Sequence, residues 1–241
     1  MSDRAPFDLL SRVLFRDGLM LIIDKPAGIA VHPGPKGGLN LQDLFDQLRY
    51  GLPRRPELAH RLDRDTSGCL VLGRHRKALQ KLGRLFSASR VEKVYWAIVV
   101  GAPPAPSGRI EFALSKRSNV RGWWMKADPT GQPSTTDYRV LGSSPGRTWL
   151  ELRPHTGRTH QIRVHCAELG CPVLGDPIYR PTMQPDPRPP LHLHARSVAV
   201  PLYPKRDPIL ALAQPPAHMV EALTAAGYVE GADTSPGAPA A

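Results

Sequence analysis

The stretch that decides the fold is His60-Arg61-Leu62-Asp63-Arg64-Asp65-Thr66-Ser67-Gly68, where four charges of both signs lie between two segments typical of a globular core. If Arg61 and Arg64 face Asp63, their positive charges favour the ionised carboxylate. An ionised carboxylate suits a nucleophile or a base better than a proton donor. Taken alone, an acidic residue between arginines is more often a structural ion pair than a catalyst.

The overall charge of the chain favours a polyanionic partner. The 241 residues include 32 Lys and Arg against 21 Asp and Glu, a formal net charge of +11. Nucleic acid is the first candidate for such a partner, ahead of an anionic membrane. No segment approaches the about 20 consecutive apolar residues that span a bilayer, and the first ten residues lack a signal-peptide pattern. We therefore expect a cytoplasmic protein with no membrane partner.

Cysteine, proline and glycine content narrows the fold class. The three cysteines show no paired spacing, which supports neither a disulfide framework nor a zinc site, so we expect them to be buried apolar residues. The 27 prolines and 21 glycines predict many turns and short strands. An α+β fold is favoured over an all-helical one.

Two further clusters contain candidate site residues. In residues 93–99 (KVYWAIV), a period of two places Val94, Trp96 and Ile98 on one face of a strand and Tyr95 on the other, where it can face a cleft. Residues 157–165 (GRTHQIRVH) predict a helix with Thr159 as N-cap. Helical spacing then places Arg163 on the same surface as Thr159 and His160.

A turn-rich connection between predicted strands combines basic and aromatic side chains. It contains Arg117, Arg121, Trp123, Trp124 and Lys126. Such side chains in a loop can stack on bases and pair with phosphates. An equally good interpretation is that the tryptophans cover the edge of a core.

The three clusters together resemble those of the RluA-type pseudouridine synthases, in the order usual for that family. The resemblance rests on residues 60–63 with 66–68, on Lys93, Tyr95, Ala97 and Gly101, and on residues 157–165 leading to Gly170, Pro172, Gly175, Asp176 and Tyr179. The KPAG sequence at 25–28 and the LHA sequence at 193–195 also fit the family. The match extends from about Leu19 to Tyr203, and its multi-part spacing is highly specific.

The resemblance implies a fold and a reaction. The fold is α+β, with a mixed, mainly antiparallel central sheet flanked by helices and loops. The reaction isomerises uridine to pseudouridine within an RNA chain, with no cofactor and no metal. The absence of a dinucleotide-binding fingerprint or a P-loop from the sequence agrees with this expectation.

The resemblance also implies roles for individual residues. Asp63 is the essential carboxylate, acting as a nucleophile or as a base, and Arg163 is its ion-pair partner. Tyr95 stacks on the target uracil and assists removal of its C5 proton. Arg61 resembles the family residue that fills the gap left by the extruded base, whereas His60 and Arg158 are expected to bind the RNA backbone. Arg64 is expected to be solvated.

We expect one catalytic domain over residues 1–228 and a disordered tail over residues 229–241. The chain begins too close to the catalytic fold for the additional N-terminal S4-type RNA-binding domain of many relatives. Substrate choice among transfer RNA, ribosomal RNA or both would then depend on the catalytic domain and its loops. We expect a monomer without an obligatory protein partner.

Two alternatives belong to other functional classes. One is an RNA-binding protein or RNA chaperone that retains the fold without the chemistry, against which the joint presence of Asp63, Tyr95 and Arg163 argues. The other is a metal-dependent phosphodiesterase using histidine ligands. Its candidate ligands are His155, His160, His165, His192 and His194. The five-residue steps place the first three about 140° apart on a helix, so they do not share one face.

Overall fold

The computed structural model describes residues 8–34, 37–119 and 122–231, with the side chains of 118, 119, 122 and 123 left aside. This part of the chain forms two compact units. The first contains the residues up to Glu92 and Val198–Gln214, and the second contains Lys93–Ser197 and the residues from Pro215 onward. The single domain over 1–228 stays a prediction. Of the predicted tail, residues 232–241 lie outside the described residues.

The described residues form an α+β fold with a mixed, mainly antiparallel sheet, which confirms the predicted fold class. The strands are β1 (Val13–Arg16), β2 (Met20–Lys25), β3 (Glu57–Leu58), β4 (Ser67–Gly73), β5 (Glu92–Val100), β6 (Ser107–Glu111), β7 (Leu114–Asn119), β8 (Gly122–Ala127), β9 (Thr135–Ser144), β10 (Arg147–Pro154), β11 (Leu193–Val200) and β12 (Ile209–Leu212). The α-helices are α1 (Arg76–Ser87), α2 (Gln161–Glu168) and α3 (Ala217–Ala225). Short 3₁₀ helices are formed by Leu10–Arg12, Leu41–Leu48 and Pro181–Met183.

In the first unit, β2 pairs antiparallel with both β1 and β4, and β3 pairs with β4. The apolar residues of β2 and β4 are buried with Leu82 and Leu85 of α1, which explains why these strands read as nearly continuous hydrophobic runs. The β2–β4 register places Lys25 opposite Gly68. The end of β2 therefore lies beside the end of the 60–68 stretch.

In the second unit, the strands β5, β10, β9 and β6 are neighbours in that order. Both faces of β5 are covered by packed side chains. Val94, Trp96 and Ile98 pack in a cluster with α3, while Ala97 and Val99 pack with α2 residues and the partly buried Tyr95. The predicted separation of Trp96 and Tyr95 onto opposite faces is confirmed.

The basic and aromatic segment expected as a loop forms strands instead. Its residues belong to β7 and β8, which pair antiparallel as a two-stranded sheet that we call the ribbon. Trp124 and Met125 pack against Tyr179 and α2, and this buried contact favours strand over loop. Arg121 lies outside the described residues.

Two smaller expectations concern cysteines and membranes. Cys69, Cys166 and Cys171 are buried free thiols, as predicted. None of the helices among the described residues has the length and apolar character needed to cross a bilayer.

Candidate active site

Asp63 lies on a turn that is held by its buried neighbour. Leu62 is buried, whereas Arg61 before it is exposed and Asp63 after it is half-buried. The N–H of Thr66 donates to the Asp63 carbonyl at 3.2 Å and closes the turn. Leu62 therefore anchors the backbone next to Asp63 in the core.

The Lys25 side chain holds this turn in place through hydrogen bonds to its backbone. Its side chain is fully buried, and its Nζ donates three hydrogen bonds to backbone carbonyls, at 2.8 Å to Pro26, 2.9 Å to Arg64 and 2.8 Å to Thr66. The N–H of Gly28, whose φ is +86°, donates to the same Arg64 carbonyl at 3.0 Å. The KPAG segment therefore binds the turn that carries Asp63 through several polar contacts.

The Lys25 ammonium is also the main buried cation of this turn. Burial lowers the pKa of Lys25 to about 7, and the negative charges of Asp65, Asp63 and Asp24 oppose that lowering. Three carbonyl acceptors match the three protons of an ammonium group. The sequence drew attention to the adjacent arginines rather than to this lysine. A charged residue at the end of an apolar strand was the available signal.

The arginines of the stretch point outward. Arg64 binds Asp65 through two nitrogens, at 3.0 and 3.2 Å, and its side chain is 67% exposed, which agrees with the solvated role expected for it. Arg61 is exposed. Its predicted insertion into RNA stays a prediction.

His60 has structural contacts within the first unit. Its ring stacks on Phe86 with 4.5 Å between centroids, and its Nε2 accepts the Val71 N–H at 3.0 Å. These contacts hold the start of the 60–68 stretch against β4 and α1. The predicted contact of His60 with RNA backbone stays a prediction.

In the second unit, Tyr95 lies on β5 beside Leu152 of β10, and its side chain is partly buried. Lys93, two residues earlier on the same face, donates from Nζ to the Thr156 carbonyl at 3.3 Å. Burial lowers the pKa of Lys93 to about 8. The Tyr95 strand is thereby tied to the loop that leads into α2.

Gln161 organises that loop. Its Oε1 accepts hydrogen bonds from the Thr156 hydroxyl at 2.7 Å and from the Arg158 N–H at 3.0 Å. Its Nε2 donates to the Thr135 carbonyl and the Thr136 hydroxyl, each at 3.0 Å. Arg158 itself is exposed, and its predicted contact with RNA backbone stays a prediction.

The start of α2 differs from the sequence expectation. The N-cap residue is His160, in a left-handed conformation with φ 53°, and not Thr159. No side chain at the N-cap position accepts a hydrogen bond from the first turn. The prediction of Thr159 as N-cap was therefore wrong.

Arg163 is buried rather than on a solvated helix surface. Its side chain is 5% exposed, and it binds the fully buried Asp176 through Nε to Oδ2 at 2.7 Å and through Nη2 to Oδ1 at 2.9 Å. Sequence reasoning missed Asp176 as a partner, although a buried arginine requires a carboxylate. Asp176 was quoted only as part of a motif.

The predicted site residues divide between the two units. His60, Arg61 and Asp63 belong to the first, and Tyr95, Arg158 and Arg163 belong to the second. The ion pair between Asp63 and Arg163 stays a prediction.

Two of the histidines considered as metal ligands, His155 and His165, have other partners. His155 Nε2 lies 2.6 Å from Asp137, and His165 is buried between the hydroxyls of Ser134 and Thr136 at 2.8 and 3.0 Å. Within the ranges that the structure describes, no group of three His, Cys, Asp or Glu side chains is placed to hold a metal ion.

Comparison with known proteins identifies the family. A family model described as RNA pseudouridylate synthase matches residues 19–168, a range that includes every predicted site residue. The chain belongs to the RNA pseudouridylate synthase family. The predicted family resemblance and the predicted enzyme class are confirmed.

Individual relatives of this pseudouridylate synthase agree with the family match. An uncharacterised RNA pseudouridine synthase of Zymomonas mobilis is 45% identical over 157 residues, covering 65% of this chain and 72% of the relative. Ribosomal large subunit pseudouridine synthase D of Xanthomonas campestris is 40% identical over 178 residues, covering 73% of this chain. The match spans only 53% of that curated relative.

A solved structure shares the fold over most of both chains. Human RNA pseudouridylate synthase domain containing 4 superposes with a TM-score of 0.74 at 28% identity. The match covers 90% of this chain and 93% of the human one. The fold assignment therefore extends beyond the residues of the family model.

Proposed function

We propose that this protein isomerises specific uridines to pseudouridine within structured RNA, with Asp63 as the essential carboxylate. In this reaction the N1–C1′ bond breaks, the base turns, and C5 is joined to C1′. The observation that carries the proposal is the buried Lys25 side chain, which holds the backbone next to Asp63 through the Arg64 and Thr66 carbonyls.

Asp63 acts in its ionised form. It either adds to the substrate as a nucleophile or removes a ribose proton to open a glycal route, and both routes require the carboxylate. Arg163 is the cation proposed to pair with Asp63, and its Nε and Nη2 are bound to Asp176.

Tyr95 is the residue proposed to contact the target base. Its ring stacks on the uracil, and its hydroxyl accepts or relays the proton that leaves C5. The strand position supports this role, since both of its neighbours on β5, Val94 and Trp96, are buried on the opposite face. The target base then contacts a side chain whose backbone is fixed by the pairing of β5 with β10.

A uracil stacked inside folded RNA must first leave the stack, at a cost of a few kcal/mol. Arg61 offsets this cost by inserting its planar guanidinium into the vacated position. Its exposed position next to the buried anchor Leu62 suits a side chain that reaches out from a fixed backbone. His60 and Arg158 bind flanking backbone.

The remaining RNA contacts are proposed for the ribbon. Lys116 and Arg117 are exposed on β7, and the Arg117 guanidinium lies 5.7 Å from the ring centroid of Trp124. Such side chains neutralise phosphates and stack on unpaired bases. The name of the Xanthomonas relative supports ribosomal RNA as a target, with transfer RNA as the other candidate.

The experiment incubates purified protein with transcripts of ribosomal and transfer RNA, in a chelator and without added cofactor. Pseudouridines are then mapped through the reverse-transcription stops that carbodiimide adducts cause. We expect new stops at defined uridines and a monomer by light scattering. Absence of pseudouridine from every transcript, or formation only after metal addition, would contradict the proposal. We also expect a cytoplasmic location, which fractionation of the source cells tests.

A further inference from the structure

Tyr179 lies at the junction of the ribbon and the start of α2. Its hydroxyl accepts the N–H of Met125 in β8 at 3.1 Å and pairs with Nδ1 of His160, the N-cap residue of α2, at 2.8 Å. The side chain is buried, with 8% exposure. Since a phenol hydroxyl accepts and donates at the same time, Met125 as donor leaves the hydroxyl proton for His160.

The same residue also borders Arg163. The Arg163 guanidinium carbon lies 5.2 Å from the ring centroid of Tyr179. The backbone N–H of Tyr179 donates at 3.1 Å to Oδ1 of Asp176, the oxygen that accepts from Arg163 Nη2 at 2.9 Å. Tyr179 thus contacts both Arg163 and the carboxylate that orients it.

The ribbon packs against Tyr179 and α2. Leu114 of β7, Val164 and Ala167 of α2, and Tyr179 form one buried cluster, and Trp124 and Met125 of β8 pack against it. Close-packed interiors transmit displacement because they contain few voids. A shift of β8 therefore acts on Tyr179 through both its ring and its hydroxyl.

We infer that Tyr179 is a positioning residue that couples binding of RNA by the ribbon to the placement of Arg163. This inference rests on the proposed function, in which the ribbon binds RNA and Arg163 acts on Asp63. When RNA holds β8, the Met125 N–H and the His160 ring stay fixed on the Tyr179 hydroxyl. The first turn of α2, and Arg163 with it, is then held more firmly in position while substrate is bound.

The test is Tyr179→Phe, which removes the hydroxyl and leaves the ring in the cluster. We expect kcat on folded RNA to fall about tenfold, the effect of about one hydrogen bond, with RNA affinity unchanged. Tyr228→Phe is the matched control, because Tyr228 is a buried tyrosine of the same unit that packs on Trp96 and Trp149. It should retain the parent kcat.

A second variant tests the coupling itself. Arg117→Ala on the ribbon should lower both RNA affinity and kcat in the parent protein, but only affinity in the Tyr179→Phe background. Such non-additivity is the signature of two sites that act through one element. Additive losses of kcat, or an unchanged kcat in Tyr179→Phe with only a lower unfolding temperature, would overturn the inference and leave the hydroxyl a purely structural role.

Hydrogen exchange separates failure of this inference from failure of the proposed function. In the parent protein, a structured transfer RNA should slow amide exchange in β8 and in the first turn of α2, whether or not pseudouridine forms. In Tyr179→Phe, RNA should protect β8 alone. Equal protection of α2 in both proteins would contradict the coupling, whereas loss of pseudouridine formation in the parent would contradict only the proposed reaction.

Discussion

Replacement of Lys25 by methionine tests whether burial lowers the pKa of this lysine, which holds the Asp63 turn. Methionine fills a similar volume but removes the ammonium group and its three hydrogen bonds to carbonyls. In the folded protein, burial lowers the pKa of Lys25 from 10.5 to about 7. The unfolded chain should bind the lysine proton with its ordinary affinity. The two states therefore bind different numbers of protons between pH 7 and 10.5.

The sign and size of the effect follow from that difference. In this window the unfolded state binds more protons, so the free energy of unfolding of the parent rises with pH relative to the variant. Each pKa unit is worth 1.36 kcal/mol, so the shift of Lys25 amounts to about 5 kcal/mol over the whole window. About 2 kcal/mol of this should appear between pH 7 and 9.

The assay is urea unfolding of the parent and Lys25→Met at pH 7, 8 and 9. The stability of the parent minus that of the variant is plotted against pH, which cancels the groups common to both. Lys77→Met, on the exposed face of α1, controls for the loss of one positive charge. A difference that stays constant from pH 7 to 9 would refute the reasoning, because it would mean that Lys25 keeps its proton throughout.

Four further outcomes are expected. Asp176→Ala should lower the free energy of unfolding by about 3–5 kcal/mol, because it removes the buried carboxylate that binds Nε and Nη2 of Arg163. Asp46→Ala at the exposed Asp46–Arg49 pair should change it little, and urea unfolding measures both. Arg163→Ala should reduce turnover more than RNA affinity in single-turnover kinetics, and a pure affinity loss would make it a phosphate contact. Arg61→Ala should slow turnover on folded RNA but not on an unstructured oligonucleotide, and equal loss on both would contradict insertion. Because burial lowers the pKa of His165 to about 4, stability should fall by about 3 kcal/mol between pH 6.5 and 4, less steeply in His165→Gln.

Structural features that depend on neighbouring residues in the chain were predictable from the sequence. The alternation in residues 93–99 correctly separated Trp96 from Tyr95, because side chains of a strand necessarily point to opposite faces. The fold class and family also followed, since the spacing of several distant motifs is hard to reproduce by chance. The family model confirms that inference over residues 19–168.

Features that depend on tertiary contacts were not predictable. The burial of Arg163 was not predictable, because helical spacing says nothing about what covers the helix. The structure buries it on Asp176, thirteen positions later. The ribbon was taken for a loop because its packing on Tyr179, far along the chain, decides its conformation. The role of Lys25 in holding the Asp63 turn was not predicted, because the three carbonyls that it binds belong to two separate turns.

The central claim is that Asp63 performs the chemistry, and Asp63→Asn tests it most directly. The variant should bind the mapped target RNA as the parent does but form no pseudouridine in a single-turnover assay. Asp65→Asn is the matched control in the same turn, because Asp65 pairs with the exposed Arg64, and it should retain activity. Pseudouridine formation by Asp63→Asn at the parent rate would contradict the account.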